Sequence, residues 1–226
     1  MARSFDFVDE KVFEADFFLE KLRNAGLNIF EARCYFNAFV SATRTITYAL
    51  QAVMKDIDGF QEWYKAKQNE LKQDELARFF HNARNESQHT GLNFVNSGET
   101  FMRDGQLITR YYFTYFLGNK VQTVPSSDVV TTCDKYLIQL VNLIFDCYST
   151  FGNIIDPDQY YTVENINELG LKIEDIEEEL GFPRGWTNIG NTEEITRLNA
   201  LRQSVPGSEI DIMFQKYLNR NRKHRR

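Results

Sequence analysis

Asp74-Glu75-Leu76-Ala77-Arg78-Phe79-Phe80-His81-Asn82-Ala83-Arg84-Asn85-Glu86-Ser87-Gln88-His89-Thr90-Gly91 reads as one amphipathic helix with both of its ends marked. Asp74 can cap the start by accepting from the first free backbone N–H groups. Leu76, Phe79, Phe80 and Ala83 recur at spacings of three and four and form a single apolar stripe. At about 100° per residue, Arg78, His81, Asn82, Asn85 and His89 fall on the opposite side. Gly91 suits a left-handed C-cap, which puts His89 in the last turn. Such a stripe must be covered by other helices, so the stretch predicts a bundle.

The polar side of this helix carries chemistry. Arg84 is a permanent cation whose planar fork of donors matches phosphate oxygens. His89, five residues on, has an ordinary pKa near 6.5 and exchanges protons at neutral pH. With Asn85 beside them, these residues form a minimal set for cleaving RNA without a metal. Asn85 lies one turn before His89, in position to orient its ring. Arg84 sits beside Phe80, about 140° round from His89 in an ideal helix, so the two do not converge by stacking along one helix. Either the helix end is distorted, or the phosphate lies between groups from two subunits.

An Arg, a polar residue, then a His at this spacing, late in a helix of a small α-helical domain, resembles the signature of the HEPN superfamily. The resemblance covers residues 9–150 as architecture and Arg84, Asn85 and His89 as motif. It implies a helical bundle, metal-independent ribonuclease activity with those three as catalytic residues, and a homodimer in which two motifs meet. It also implies a bacterial toxin or defence setting. Residues after 150 resemble no named family.

Outward from the motif, Asp9–Ala25 reads as a first helix, with Val12, Phe13, Phe17, Leu19 and Leu22 apolar-facing and Gly26 ending it. Asn28 opens a long second helix to about Asp56, stopped by Gly59; its apolar positions, Phe30 included, are too widely spread for a surface helix. Arg33 and Arg44 lie on it, expected in solvated or salt-bridged positions rather than in a cleft. Residues 60–73 form a shorter helix leading into the motif. From Phe94 to Val124 the pattern alternates, with turn signals at Asp104-Gly105 and Gly118-Asn119, which predicts an antiparallel β-insert of two or three strands. One face of Leu107–Leu117 holds Leu107, Thr109, Tyr111, Phe113, Tyr115 and Leu117, and aromatics exposed on the insert are expected to pack against the bundle or pair across a dimer. The other holds Arg110, Tyr112, Thr114 and Phe116, where Arg110 is a candidate base-stacking contact. Ser127 or Asp128 caps a helix to about Phe151 that Gly152 ends. Beyond Asp156-Pro157, helices are expected at 163–169, 173–180, 193–203 and 209–219, with a loop at Gly181–Trp186.

The expected fold is therefore mostly α: a HEPN-like bundle over residues 1–155 with a β-insert near 94–124, a helical extension over 156–219, and a basic tail at 220–226. With 226 residues and 42% hydrophobic content the chain can bury a sizeable core. Cys34, Cys133 and Cys147 lack paired metal spacing and read as buried thiols of a reducing cytosol. The polar, acidic start shows no signal-peptide pattern, and the most apolar stretch, 136–151, is broken by Gln139, Asn142 and Asp146. A cytoplasmic, non-membrane protein is expected. The net charge is −6; the tail Arg220, Arg222, Lys223, Arg225 and Arg226 supplies +5 and leaves −11 on the rest. RNA must then meet a local basic site. Arg78, His81, Arg110 and the tail cations are the candidate RNA contacts. The run Glu174–Glu179 reads as a solvated acidic face. No calcium loop, phosphate-binding Gly-rich loop or helically spaced metal set is present, so neither metal nor cofactor is expected.

Two functions follow: a metal-independent endoribonuclease, or a non-catalytic RNA-binding or regulatory module partnering an antitoxin or a larger defence system. An exposed, unhindered Arg84–His89 cleft favours the first. A motif buried in ordinary salt bridges favours the second.

Overall fold

The computed structural model describes residues 2–91, 93–114 and 124–222. They divide into two compact units, Glu10–Val141 on the one hand and Met1–Asp9 with Asn142–Arg226 on the other. The division falls inside helices α1 (Asp6–Arg23) and α5 (Val129–Ile155), not after residue 155.

The first unit contains α2 (Ile29–Met54), α3 (Phe60–Gln73), α4 (Glu75–Thr90), β1 (Val95–Arg103) and β2 (Gln106–Phe113). In α1 the buried residues are Val8, Val12, Ala15, Leu19 and Leu22, spaced by three and four. Phe17, expected inside, is 53% exposed because it lies two residues from both Ala15 and Leu19, which turns it to the opposite side of the helix. Helix α2 starts at Asn28, whose side chain accepts from the Glu31 N–H at 3.2 Å. Its buried face (Phe36, Phe39, Val40, Ile46, Leu50) makes it the central helix, as its apolar content implied, though Phe30 in the first turn is 70% exposed. Asp74 caps α4, accepting from the Ala77 N–H at 2.7 Å, and takes a second bond from Gln139 Nε2 at 3.2 Å. One carboxylate thus fixes both the start of α4 and its place against α5. At the other end Gly91 adopts φ +68°, the left-handed cap the sequence required.

The insert is a two-stranded antiparallel hairpin in register Arg103↔Gln106 through Val95↔Phe113. Asp104 and Gly105 both have positive φ, 51° and 76°, the geometry of a two-residue turn that matches strand twist. Tyr111 and Phe113 face the helices. The Tyr111 hydroxyl donates to the Gly26 carbonyl at 2.7 Å, and Phe113 packs edge-on to Phe36 and Phe79. Arg33 donates to the Val95 carbonyl and to Asn96, tying α2 to β1. The rings of Phe36, Phe39, Phe79, Phe80 and Tyr136 close the core around α4. The expected turn at Gly118-Asn119, with Tyr115, Phe116 and Leu117, lies outside the described residues.

In the second unit α5 runs through Gly152 to Ile155, with a local break at Phe151 (φ −118°, ψ 15°). The main segment ends at that break and a short one continues to Ile155, so the expected stop at Gly152 holds. A Cβ there would sit 2.3–2.7 Å from the Gln159 amide, so the glycine serves close packing. The expected short helices are α7 (Val163–Glu168), α8 (Ile173–Glu179), α9 (Glu194–Gln203) and α10 (Asp211–Leu218), preceded by α6 (Pro157–Tyr160). Asp156 caps α6, and Pro157 takes the first position, where no N–H is needed. Tyr160, Tyr161, Ile166, Ile176, Leu198 and Leu201 form the core of these helices. Among the described residues no helix is long and apolar enough to cross a membrane.

Two expectations are corrected in this unit. The acidic run is not wholly solvated: Glu177 is fully buried and accepts from the Thr187 N–H and hydroxyl, the Gly185 N–H and Arg197. Burial pushes its pKa up, but these bonds, led by Thr187, pull it to about 2. Nor is Arg222 an RNA contact. It is 7% exposed and donates to Asp156 Oδ1 at 3.0 Å, to Asp211 Oδ2 at 3.0 Å and to the Ser208 carbonyl. Buried carboxylates need a cation, and Arg222 is the one they use. Lys223, Arg225 and Arg226 lie outside the described residues. Cys133 and Cys147 are buried as expected, while Cys34 is exposed on α2.

Candidate functional site

Helices α2, α3 and α4, with Tyr136 of α5, enclose a cavity of ≈ 440 Å³. Each helix contributes a cation: Arg44 from α2, Lys72 from α3, Arg78 and Arg84 from α4. Its described lining includes no Asp or Glu, and none of these four cations forms an ion pair among the described residues. Arg44 lies over the Tyr48 ring at 4.4 Å, which leaves its donors unused. Four cations gathered without a carboxylate repel one another. An anion would relieve that repulsion, so the arrangement is one that can seat an anion.

Arg84 is the sharpest member. Its Nε is buried with no hydrogen-bond partner, and its Nη1 reaches only Asn85 Oδ1, at 3.5 Å. A buried donor without an acceptor is costly, of the order of 1–3 kcal/mol, unless a ligand supplies one.

Asn85 connects this arginine to a histidine, but not to the expected one. Its Nδ2 donates to His81 Nε2 at 3.2 Å, one turn earlier, rather than orienting His89. Positions 81 and 89 are each one turn from 85, and of the two His81 is the one that lines the cavity. Donation to Nε2 uses a lone pair there, which a neutral ring with its proton on Nδ1 supplies. Burial, then Arg44 and then Arg84 hold its pKa below the ordinary histidine value, in agreement. His81 lines the cavity, with Arg78 and Asn82.

His89 is exposed in the last turn of α4 and does not line the cavity. The structure thus brings Arg84, Asn85, His81 and Arg78 together and leaves His89 apart, as the 140° divergence anticipates. Of the remaining candidates, Arg110 is exposed on β2, over the Phe101 ring at 4.9 Å. Arg220 lies over the Phe145 ring at 5.6 Å. Neither approaches a described cavity. Sequence reasoning weighed Arg44 as a cleft residue but favoured a solvated or paired role, and it missed Lys72, Gln68, Tyr64 and Tyr136 as lining residues. The available signal was on α2, where Thr43, Arg44 and Thr47 interrupt a helix otherwise apolar enough to be central.

A protein-family model described as bacteriophage lambda protein ea47 matches residues 9–144, more than half of the chain. No curated protein and no solved structure matches it.

Proposed function

The chain belongs to the family of bacteriophage lambda protein ea47, and for this member we propose a metal-independent endoribonuclease that seats an RNA phosphate in the α2–α3–α4 cavity. The observation that carries the reading is Arg84, with a buried unpartnered Nε, among three further cations and no carboxylate. In the proposed reaction a histidine takes the proton of the ribose 2′-hydroxyl. The freed oxygen attacks the adjacent phosphorus, and the bond to the 5′ oxygen of the next nucleotide breaks as that oxygen takes a proton from the histidinium so formed. Arg84 and its neighbouring cations balance the charge that builds on the phosphate oxygens, usually the largest share of such catalysis. His81 lines the cavity and is the base proposed there; its one lone pair, at Nε2, faces Asn85, so it takes the proton only as that bond opens. His89, exposed at the end of α4, is offered to a phosphate from a second copy of the chain. That is the two-fold homodimer implied by the HEPN-like spacing of Arg84, Asn85 and His89.

A family named after a bacteriophage protein is compatible with a cytoplasmic toxin or defence setting, with an antitoxin or defence-system protein as partner. The second reading, an RNA-binding module without turnover, draws on one observation: His89 lies off the cavity. One assay separates the two. Purified protein with excess EDTA should cut single-stranded RNA to 2′,3′-cyclic phosphate and 5′-hydroxyl ends, and should spare a substrate with 2′-deoxyribose at the scissile position. Binding without cutting sinks the enzyme and leaves the module.

A further inference from the structure

The cavity has two chemistries. Its rim carries the cations, while its floor is Val40, Thr43, Thr47, Tyr64, Phe80 and Tyr136, each of them buried. A phosphate group uses the rim and leaves the floor empty. The volume of ≈ 440 Å³ falls within the roughly 300–1,000 Å³ of small-molecule sites, more than a bare anion needs. The floor is also preformed: Phe80 and Tyr136 stack at 4.3 Å with planes 6° apart, and Tyr64 stacks on Phe60 at 5.3 Å. It is apolar but not mute. The Thr43 and Thr47 hydroxyls give their protons to the Val40 and Arg44 carbonyls, which leaves their lone pairs able to accept. The Tyr136 hydroxyl has no hydrogen-bond partner among the described residues, and burial pushes its pKa to about 12, so it remains a donor.

A flat, polar-edged heteroaromatic with an anion attached fits both halves. We infer that the cavity seats one nucleobase on its floor while the attached phosphate is held by the rim. This rests on the reading of the rim as an RNA-phosphate seat and adds a substrate class to it. A base inside a duplex is paired and stacked, so only an unpaired nucleotide enters, and the substrate is a single strand or loop.

The experiment is calorimetric titration of the full chain with the four nucleoside 3′-monophosphates, ribose 5-phosphate and inorganic phosphate, alongside the RNA-cleavage assay. At least one nucleotide should bind about tenfold or more tighter than ribose 5-phosphate, the weight of one base contact. Tyr136→Phe keeps the ring stack and removes only the unpartnered hydroxyl. It should weaken that nucleotide several-fold and leave inorganic phosphate unchanged. The inference is overturned if ribose 5-phosphate binds as tightly as every nucleotide, or if Tyr136→Phe binds the preferred nucleotide as the parent does. RNA cut by a protein indifferent to the base removes the base seat and keeps the ribonuclease. Nucleotides bound tightly by a protein that cuts nothing do the reverse.

Discussion

Arg197 and Arg222 in one unit, and Arg44, Arg78 and Arg84 in the other, are the same side chain in opposite company. Arg197 donates to Glu174 at 2.7 Å and Glu177 at 3.2 Å, and Arg222 is shared by Asp156 and Asp211. Both are buried, and both are matched by carboxylates within the same unit. The cavity arginines converge with Lys72 and meet no carboxylate among the described lining residues. Matched charges hold the fold together, since either partner alone would be stranded in a low-dielectric interior. Unmatched cations, with the buried Nε of Arg84 among them, leave donors that a ligand can use, and such places concentrate function.

The largest expected effect lies on the unmatched side. Arg84→Ala should lower RNA cleavage by a factor on the order of 10²–10⁴ while circular dichroism and the unfolding midpoint stay at parental values or improve. A loss of stability equal to that at a matched arginine would erase the distinction. On the matched side, Arg222→Ala and Arg197→Ala should each destabilise by about 3–5 kcal/mol in denaturant unfolding, because Asp156 and Glu177 are left buried and unpaired. If either variant unfolds as the parent does, the ion pairs are ornaments and the comparison fails.

Asp9 sharpens the middle ground. It accepts from Tyr148 Oη at 2.7 Å and from Ser208 Oγ at 2.5 Å, and burial raises its pKa from 3.8 to about 7. Folded Asp9 therefore keeps its proton while unfolded Asp9 releases it near pH 4. Stability should fall by up to a few kcal/mol as pH rises from about 4 to 7, then level off. In Asp9→Asn that part of the decline should vanish, leaving a flatter stability–pH curve. Parallel curves for parent and variant would show that the carboxyl ionises freely. The smallest effect concerns the rim: Arg44→Ala and Lys72→Ala should each reduce the slope of log RNA affinity against log salt by about 0.7, the single-strand value per phosphate contact. An unchanged slope for both would place the phosphate elsewhere.

Much of the architecture was written locally. The caps at Asn28, Asp74 and Asp128, the Asp104-Gly105 turn and the apolar spacing of α4 each concern side chains within a few residues of the backbone they satisfy. Chain-local geometry fixes them, so the sequence alone determined the helices, the hairpin and the polar face carrying Arg78, His81, Asn82, Asn85 and His89, with Arg84 at its boundary. It also determined that Arg84 and His89 point apart, since 3.6 residues per turn allow nothing else. Which residues meet across elements was decided only by tertiary packing. Arg44 read as a solvated or paired cation until α3 and α4 closed around it. Arg222 read as part of a basic tail until Asp156 and Asp211, 66 and 11 residues away in sequence, took its donors. Asn85 stood equally one turn from His81 and from His89, and only the cavity chose between them. A helical period tells which side a residue occupies. Whether that side meets a carboxylate, a ring or an empty pocket depends on residues tens of positions away, and that separates a charge that holds the fold from one that waits for a ligand.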